Sequence, residues 1–174
     1  WFNRLDWTFN DNHFGTGLPP QRDNAASWPL MRPLLADASI KPTSADIAWT
    51  RGAFIDLLRI RASSTLFRLR SADEIKARLS FLNTGSAQVA TVLAAHLDGN
   101  GYSGAGFKEL VYLVNVDKVA QTITADALKS KAYVLHPVHS AAGAADARAA
   151  AASYAAASGS FTVPARTAVV FVVN

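Results

Sequence analysis

The 174 residues are 50% hydrophobic and 17% charged, with ten glycines, seven prolines and no cysteine. A chain of that kind forms one large domain or two small ones around a real core; it is neither disordered nor stapled by disulfides, and it has no cysteine for a zinc site. No apolar run approaches the roughly 18 residues of a membrane-spanning helix, and the first residues lack a signal-peptide pattern. A start at Trp1 instead of Met points to a processed product or a fragment.

The net charge of +4 and pI near 9.6 raise the question of nucleic acid. Residues 1–76 hold ten Lys/Arg against eight Asp/Glu, and residues 77–174 seven against five, so neither part is a basic patch. The densest group, Arg59, Arg61, Arg68 and Arg70, falls at a predicted helix end and just beyond it, where cations complement the helix dipole. A nucleic-acid footprint needs a stripe with interleaved aromatics. Neither nucleic acid nor a membrane is an expected partner.

Residues 1–24 are rich in Trp, Phe, Asn, Asp and Gly and follow neither a helical nor a strand period, as functional loops often do. A short helix is predicted at Trp28–Asp37, with Ser27 as its cap and Pro29 in the first turn. Ser44–Arg61 is the strongest predicted helix. Ser44 is its expected cap, and Ile47, Phe54, Leu57 and Leu58 form an apolar stripe expected to be buried against the rest of the protein. Ser71–Lys76 could add one more turn.

From Arg78 the period changes. Leu79 and Phe81, Val89–Leu97, Leu110–Val116, Gln121–Thr124, Tyr133–Leu135 and Thr167–Val173 read as strands, separated by Asn, Asp and Gly turns. Short strands at about 8–12-residue spacing predict an antiparallel sandwich. The shift near residues 71–78 places a boundary there, with domains 1–77 and 78–174. Residues 140–158 hold twelve alanines, a helix by propensity alone. Only Tyr154 could anchor such a helix, so the stretch is expected to be irregular or partly helical.

Gly99-x-Gly101-x-x-Gly104 matches a dinucleotide fingerprint, but a strand follows where the pyrophosphate needs a helix N-terminus, so a hairpin loop is expected. Gly101-Tyr102-Ser103-Gly104-Ala105 is one glycine short of a nucleophile elbow. His13, His96, His136 and His139 lack metal-ligand spacing, and Pro137 between the last two argues against a helical metal face. Those two read as loop or strand-end residues, and no metal is expected. Glu74 and Glu109 read as surface residues, and no carboxylate pair in residues 25–174 looks built for glycosidic chemistry. In the first loop, Arg4, Asp6, Asp11 and five Trp and Phe rings could line a sugar cleft or equally form core and ion pairs.

Several longer words decide between these. WFNRLDW, NDNHFGTGLPP, WPLM, DLLRIRASSTLFRLR (56–70), RLSFLNTG (78–85), LHPV (135–138) and FTVPARTAVVFV (161–172) resemble the end of pullulanase-type α-1,6-glucosidases, and most of all the plant-type limit dextrinases. The resemblance implies an α+β fragment: the last loop and helices of a (β/α)8 barrel (1–77), then a C-terminal antiparallel β-sandwich (78–174). It implies a starch-debranching hydrolase acting on α-glucan, without a cofactor, whose catalytic carboxylates lie upstream of Trp1. The chain alone is then inactive, and its partner is the upstream barrel. The clan's Asp-x-x-x-Arg pair puts Arg4 forward as the best substrate-binding residue, with the aspartate falling just before Trp1. Asn3, Asp6 and Asn12 are weaker choices. Plant-type relatives imply a plastid, bacterial ones a secreted or periplasmic enzyme. The alternative is a stand-alone carbohydrate-binding or structural sandwich module.

Overall fold

The computed structural model describes Thr8, Leu18 and residues 20–174. The chain divides into two compact units, residues 1–52 and 53–174.

In the first unit, α1 (Gln21–Asn24) leads through a 3-10 turn (Ala25–Ser27) into α2 (Trp28–Ala36). Ser27 makes no capping bond, because the 3-10 turn already carries it in helical conformation. The helix α3 (Ser44–Ser63) begins at its expected cap, Ser44, so the cap position falls one residue earlier. Thr43 holds that place: its Oγ1 accepts the Asp46 N–H at 3.2 Å, and the Asp46 carboxylate accepts the Thr43 N–H at 2.9 Å. That is a capping box with aspartate as the third residue.

The second unit is α+β, with only antiparallel strand pairs. From the end of α3 a 3-10 turn (Thr65–Arg68) and α4 (Ala72–Arg78) lead into β1 (Leu79–Phe81), β2 (Val92–Asp98), β3 (Glu109–Asn115) and β4 (Gln121–Thr124). There follow β5 (Val134–Leu135), α5 (Pro137–Ser140), β6 (Ser153–Ala155), β7 (Ser160–Val163) and β8 (Thr167–Val173). One sheet has the order β1-β2-β3-β8-β5 and the other β4-β7-β6. Their facing sides enclose the main core, where Val111, Leu113, Val169 and Phe171 of the larger sheet meet Ile123, Phe161 and Val163 of the smaller. Tyr133, Tyr154 and Phe161 pack edge-on or tilted, with centroids 4.6–5.3 Å apart.

The outer side of the larger sheet is apolar too. Leu97, Leu110, Val170 and Val172 pack there against Ile60 and Leu66, so β3 and β8 are buried on both faces. This is why their sequences run as near-continuous hydrophobics instead of alternating. The face α3 turns toward this unit carries Asp56 and Ile60, not the expected stripe. Phe54, Leu57 and Leu58 remain 62%, 45% and 46% exposed, so the sandwich does not cover them. The alanine-rich stretch is irregular, with a 3-10 turn at Ala147–Ala151, and it contributes the unforeseen strand β6.

Candidate functional site

The glycine-rich segment 99–106 is the β2–β3 connection, and β3 follows it, not a helix. Its work is structural. The Ser64 hydroxyl donates to the Ala105 carbonyl, Thr65 Oγ1 donates to the Ser103 carbonyl at 2.8 Å, and the Thr65 N–H donates to the Gly104 carbonyl at 3.1 Å. The contact is too close for side chains: a Cβ on Gly104 would stand 2.8 Å from Thr65 Cγ2, and one on Gly106 2.9 Å from the Ser63 carbonyl. Both glycines also have positive φ, +74° and +72°. The loop is a seam that ties the end of α3 to the sandwich. Arg78 closes it from the far side, donating to the Asp98 and Asn100 carbonyls and stacking 4.7 Å from the Tyr102 ring.

His136 is a second tie. It is 2% exposed, at the N-cap of α5. Its Nδ1 accepts the Val138 N–H at 3.2 Å, which leaves Nε2 to carry the proton and donate to Ser63 Oγ at 3.0 Å. Ser63 in turn donates to the Ile60 carbonyl. The ring lies edge-on to Phe107 and is locked as the neutral tautomer. Burial, with His139 nearby, pushes its pKa down to about 4. His139 is also buried, and burial lowers its pKa against the pull of Asp146 and Asp56. His136 directly follows β5, at a strand end as expected, whereas His139 lies in α5; both are buried. Among the described residues no group of three His, Asp or Glu side chains could hold a metal ion.

Glu109, expected on the surface, is half-buried at one end of the sandwich. It accepts from His96 Nε2 at 3.1 Å, from Lys131 Nζ and from the Tyr133 hydroxyl. Burial raises its pKa, but these three donors outweigh that and hold it below its ordinary value. Burial, and then the same carboxylate, raise the pKa of Tyr133. The carboxylate is engaged by all three donors, and Asp98 lies opposite it in register on β2.

An apolar cleft of about 560 Å³ lies on the outer side of the five-stranded sheet. Leu57, Ile60, Leu66, Phe67, Ile75 and Tyr112 line it, and Arg61 and Arg68 stand at its border. Its walls come from α3, the 3-10 turn, α4 and the four strands β1, β2, β3 and β8, which only the fold brings together. The sequence-predicted substrate residues Arg4, Asn3, Asp6 and Asn12, with His13, lie outside the described residues.

The class of fold the second unit defines is an antiparallel two-sheet sandwich with helical residues packed on the outer face of its larger sheet. The crystal structure of PulA from Klebsiella pneumoniae in complex with maltotriose matches 98% of this chain and 18% of that chain, with a TM-score of 0.83 and 25% identity. The chloroplastic pullulanase 1 of Arabidopsis thaliana is 39% identical over 180 residues, which cover 99% of this chain and 18% of the relative. A Klebsiella pneumoniae pullulanase is 28% identical over 127 residues, covering 71% of this chain and 12% of the relative. The family model for alpha-1,6-glucosidases, pullulanase-type, C-terminal, matches residues 9–174. The chain belongs to that family, and it spans about a fifth of the length of the curated relative it covers most fully.

Proposed function

We propose that the chain is the C-terminal part of a debranching enzyme that hydrolyses α-1,6-glucosidic linkages in pullulan, limit dextrins and amylopectin. The observation that carries this is the 39% identity to a plant pullulanase across 99% of the chain, while the chain fills only 18% of that relative. In this reading residues 1–77 supply the last loop and helices of a (β/α)8 barrel, and residues 78–174 form a sandwich that braces it. The nucleophile and the acid/base carboxylate belong to polypeptide outside these 174 residues. A retaining enzyme needs them about 5–5.5 Å apart across the scissile bond.

The role left to this chain is to hold the glucan and to complete and stabilise the catalytic unit. Arg4 is the residue proposed to grip the sugar next to the cleaved one, with Asn3, Asp6 and Asn12 beside it. A plastid location accords with the chloroplastic name of the plant relative, and export with the bacterial ones. A stand-alone binding module is the weaker reading, since Phe54, Leu57 and Leu58 leave a helix face exposed that such a module would have to cover. Product analysis tests the proposal. The longer polypeptide containing this chain is expected to release maltotriose from pullulan; cutting linear α-1,4-glucan while leaving pullulan intact would overturn it.

A further inference from the structure

We infer that the apolar cleft bordered by Arg61 and Arg68 is the seat of a segment of the longer polypeptide, one with an apolar face and at least one carboxylate directed at the two guanidiniums. The inference rests on the reading that these 174 residues are part of a longer enzyme. The cleft measures about 560 Å³, comparable to a small-ligand site, and its walls are almost wholly aliphatic and aromatic. Such a surface costs free energy while it faces water. It is also continuous with exposed apolar side chains on both sides: Leu57, 45% exposed, and Phe54 and Leu58 beyond it on α3, and Ile75, 43% exposed, on α4.

The polar groups at the cleft decide the chemistry of the occupant. Arg61 and Arg68 are exposed, and among the described residues neither makes an ion pair or a hydrogen bond. Two carboxylates of the adjoining helices are already held, Asp56 by Arg59 and the Ala145 N–H, and Glu74 by the Arg70 N–H. Tyr112 adds a half-buried ring and a hydroxyl whose pKa is raised by burial, so it stays a neutral donor. Two unpaired guanidinium forks over an apolar floor match an amphipathic segment carrying Asp or Glu, because the fork binds a carboxylate in bidentate fashion. A basic or purely polar segment fits neither the floor nor the border. The chain fills 18% of the plant relative, so ample polypeptide exists to supply the segment.

The double substitution Arg61→Gln with Arg68→Glu tests the inference in two settings. In the longer polypeptide it strands the docked carboxylate, and the unfolding rate is expected to rise at least tenfold. In the 174-residue chain the two guanidiniums have no ion-pair or hydrogen-bond partner among the described residues, so the rate changes by no more than about threefold, the share of a lost cation at the end of α3. Arg61→Lys with Arg68→Lys should recover most of the stability of the longer polypeptide. An unchanged unfolding rate in the longer polypeptide, or an equal change in both settings, overturns the inference. So does sedimentation of the 174-residue chain as a dimer that the double substitution dissociates, which makes a second copy the occupant. Pullulan turnover in the same preparations reports separately on the enzymatic reading: a destabilised variant of a protein that never cleaves pullulan leaves the docking standing and that reading fallen.

Discussion

Ser63, the last residue of α3, accepts the Nε2 proton of His136, which lies 73 positions later at the N-cap of α5. One buried imidazole thereby fastens the helical lead-in to the far end of the sandwich. Because its Nδ1 is already occupied by the Val138 N–H, the ring cannot take a second proton without losing that cap.

Acid should loosen this tie. The folded His136 pKa is about 4, below the roughly 6.5 of an unfolded histidine. Its stability contribution is therefore complete above pH ~6.5 and is lost as the pH falls toward 4, where the unfolded state takes a proton that the folded state refuses. The upper bound is about 1.4 kcal/mol per pH unit. His139 is shifted the same way and adds to the slope. In thermal melts from pH 4 to 8, His136→Asn should start less stable by about 1–2 kcal/mol and show a shallower decline. Equal slopes for both proteins would contradict the assignment.

The seam predicts a contrast between two glycines of one loop. Gly106→Ala forces a Cβ against the Ser63 carbonyl at positive φ, and should cost about 2–3 kcal/mol in urea unfolding. Gly101 also has positive φ, +67°, but its added Cβ would meet nothing within 4 Å. Gly101→Ala should cost only about 1 kcal/mol. Equal losses would mean that close packing at the seam is unimportant.

Asn115 is 1% exposed, and its Nδ2 donates to the carbonyls of Val119, Val163 and Pro164 at 2.9–3.2 Å. Asn115→Asp replaces those donors with a buried negative charge facing three oxygens. The expected loss is about 3–5 kcal/mol, with fluorescence-monitored unfolding as the measurement. Asn115→Ser, which keeps a small donor, should cost less.

Arg4→Lys tests the proposed grip on the sugar. A guanidinium offers a rigid fork to two neighbouring hydroxyls, whereas an ammonium is a point charge. In the longer polypeptide kcat/KM for pullulan should fall about 10–100-fold, the equivalent of one charged hydrogen bond, with the melting temperature little changed. If Arg4 instead braces Asp6 or Asp11, stability falls and activity per folded molecule survives.

Much of this architecture was legible in the sequence. Alternating or continuous apolar runs bounded by turns marked β2, β3, β4 and β8, because each is long enough to carry its own period. The four-residue β7 and three-residue β6 were missed: short pairings such as Tyr154 opposite Phe161 are decided by cross-strand packing, which local propensity does not encode. The burial of Glu109 and His136 was hidden for a related reason. Their partners Lys131, Tyr133 and Ser63 are 22, 24 and 73 positions away, and only the fold brings them together. The apolar stripe expected to be buried on α3 leaves Phe54, Leu57 and Leu58 exposed, because the sandwich touches the neighbouring face through Ile60. Family membership came from long words, not from spacing; Arg61 and Arg68 stood out in the sequence only as part of a basic group, and the fold alone puts them at one cleft.

The central claim is that catalysis requires polypeptide beyond these 174 residues. Reducing-end release from pullulan, measured side by side for the purified chain and for the longer polypeptide at equal molar concentration, tests it most directly. The account predicts turnover by the longer polypeptide and none by the chain alone. Turnover by the chain alone would contradict it, since the carboxylates that cleave the bond would then have to lie within residues 1–174.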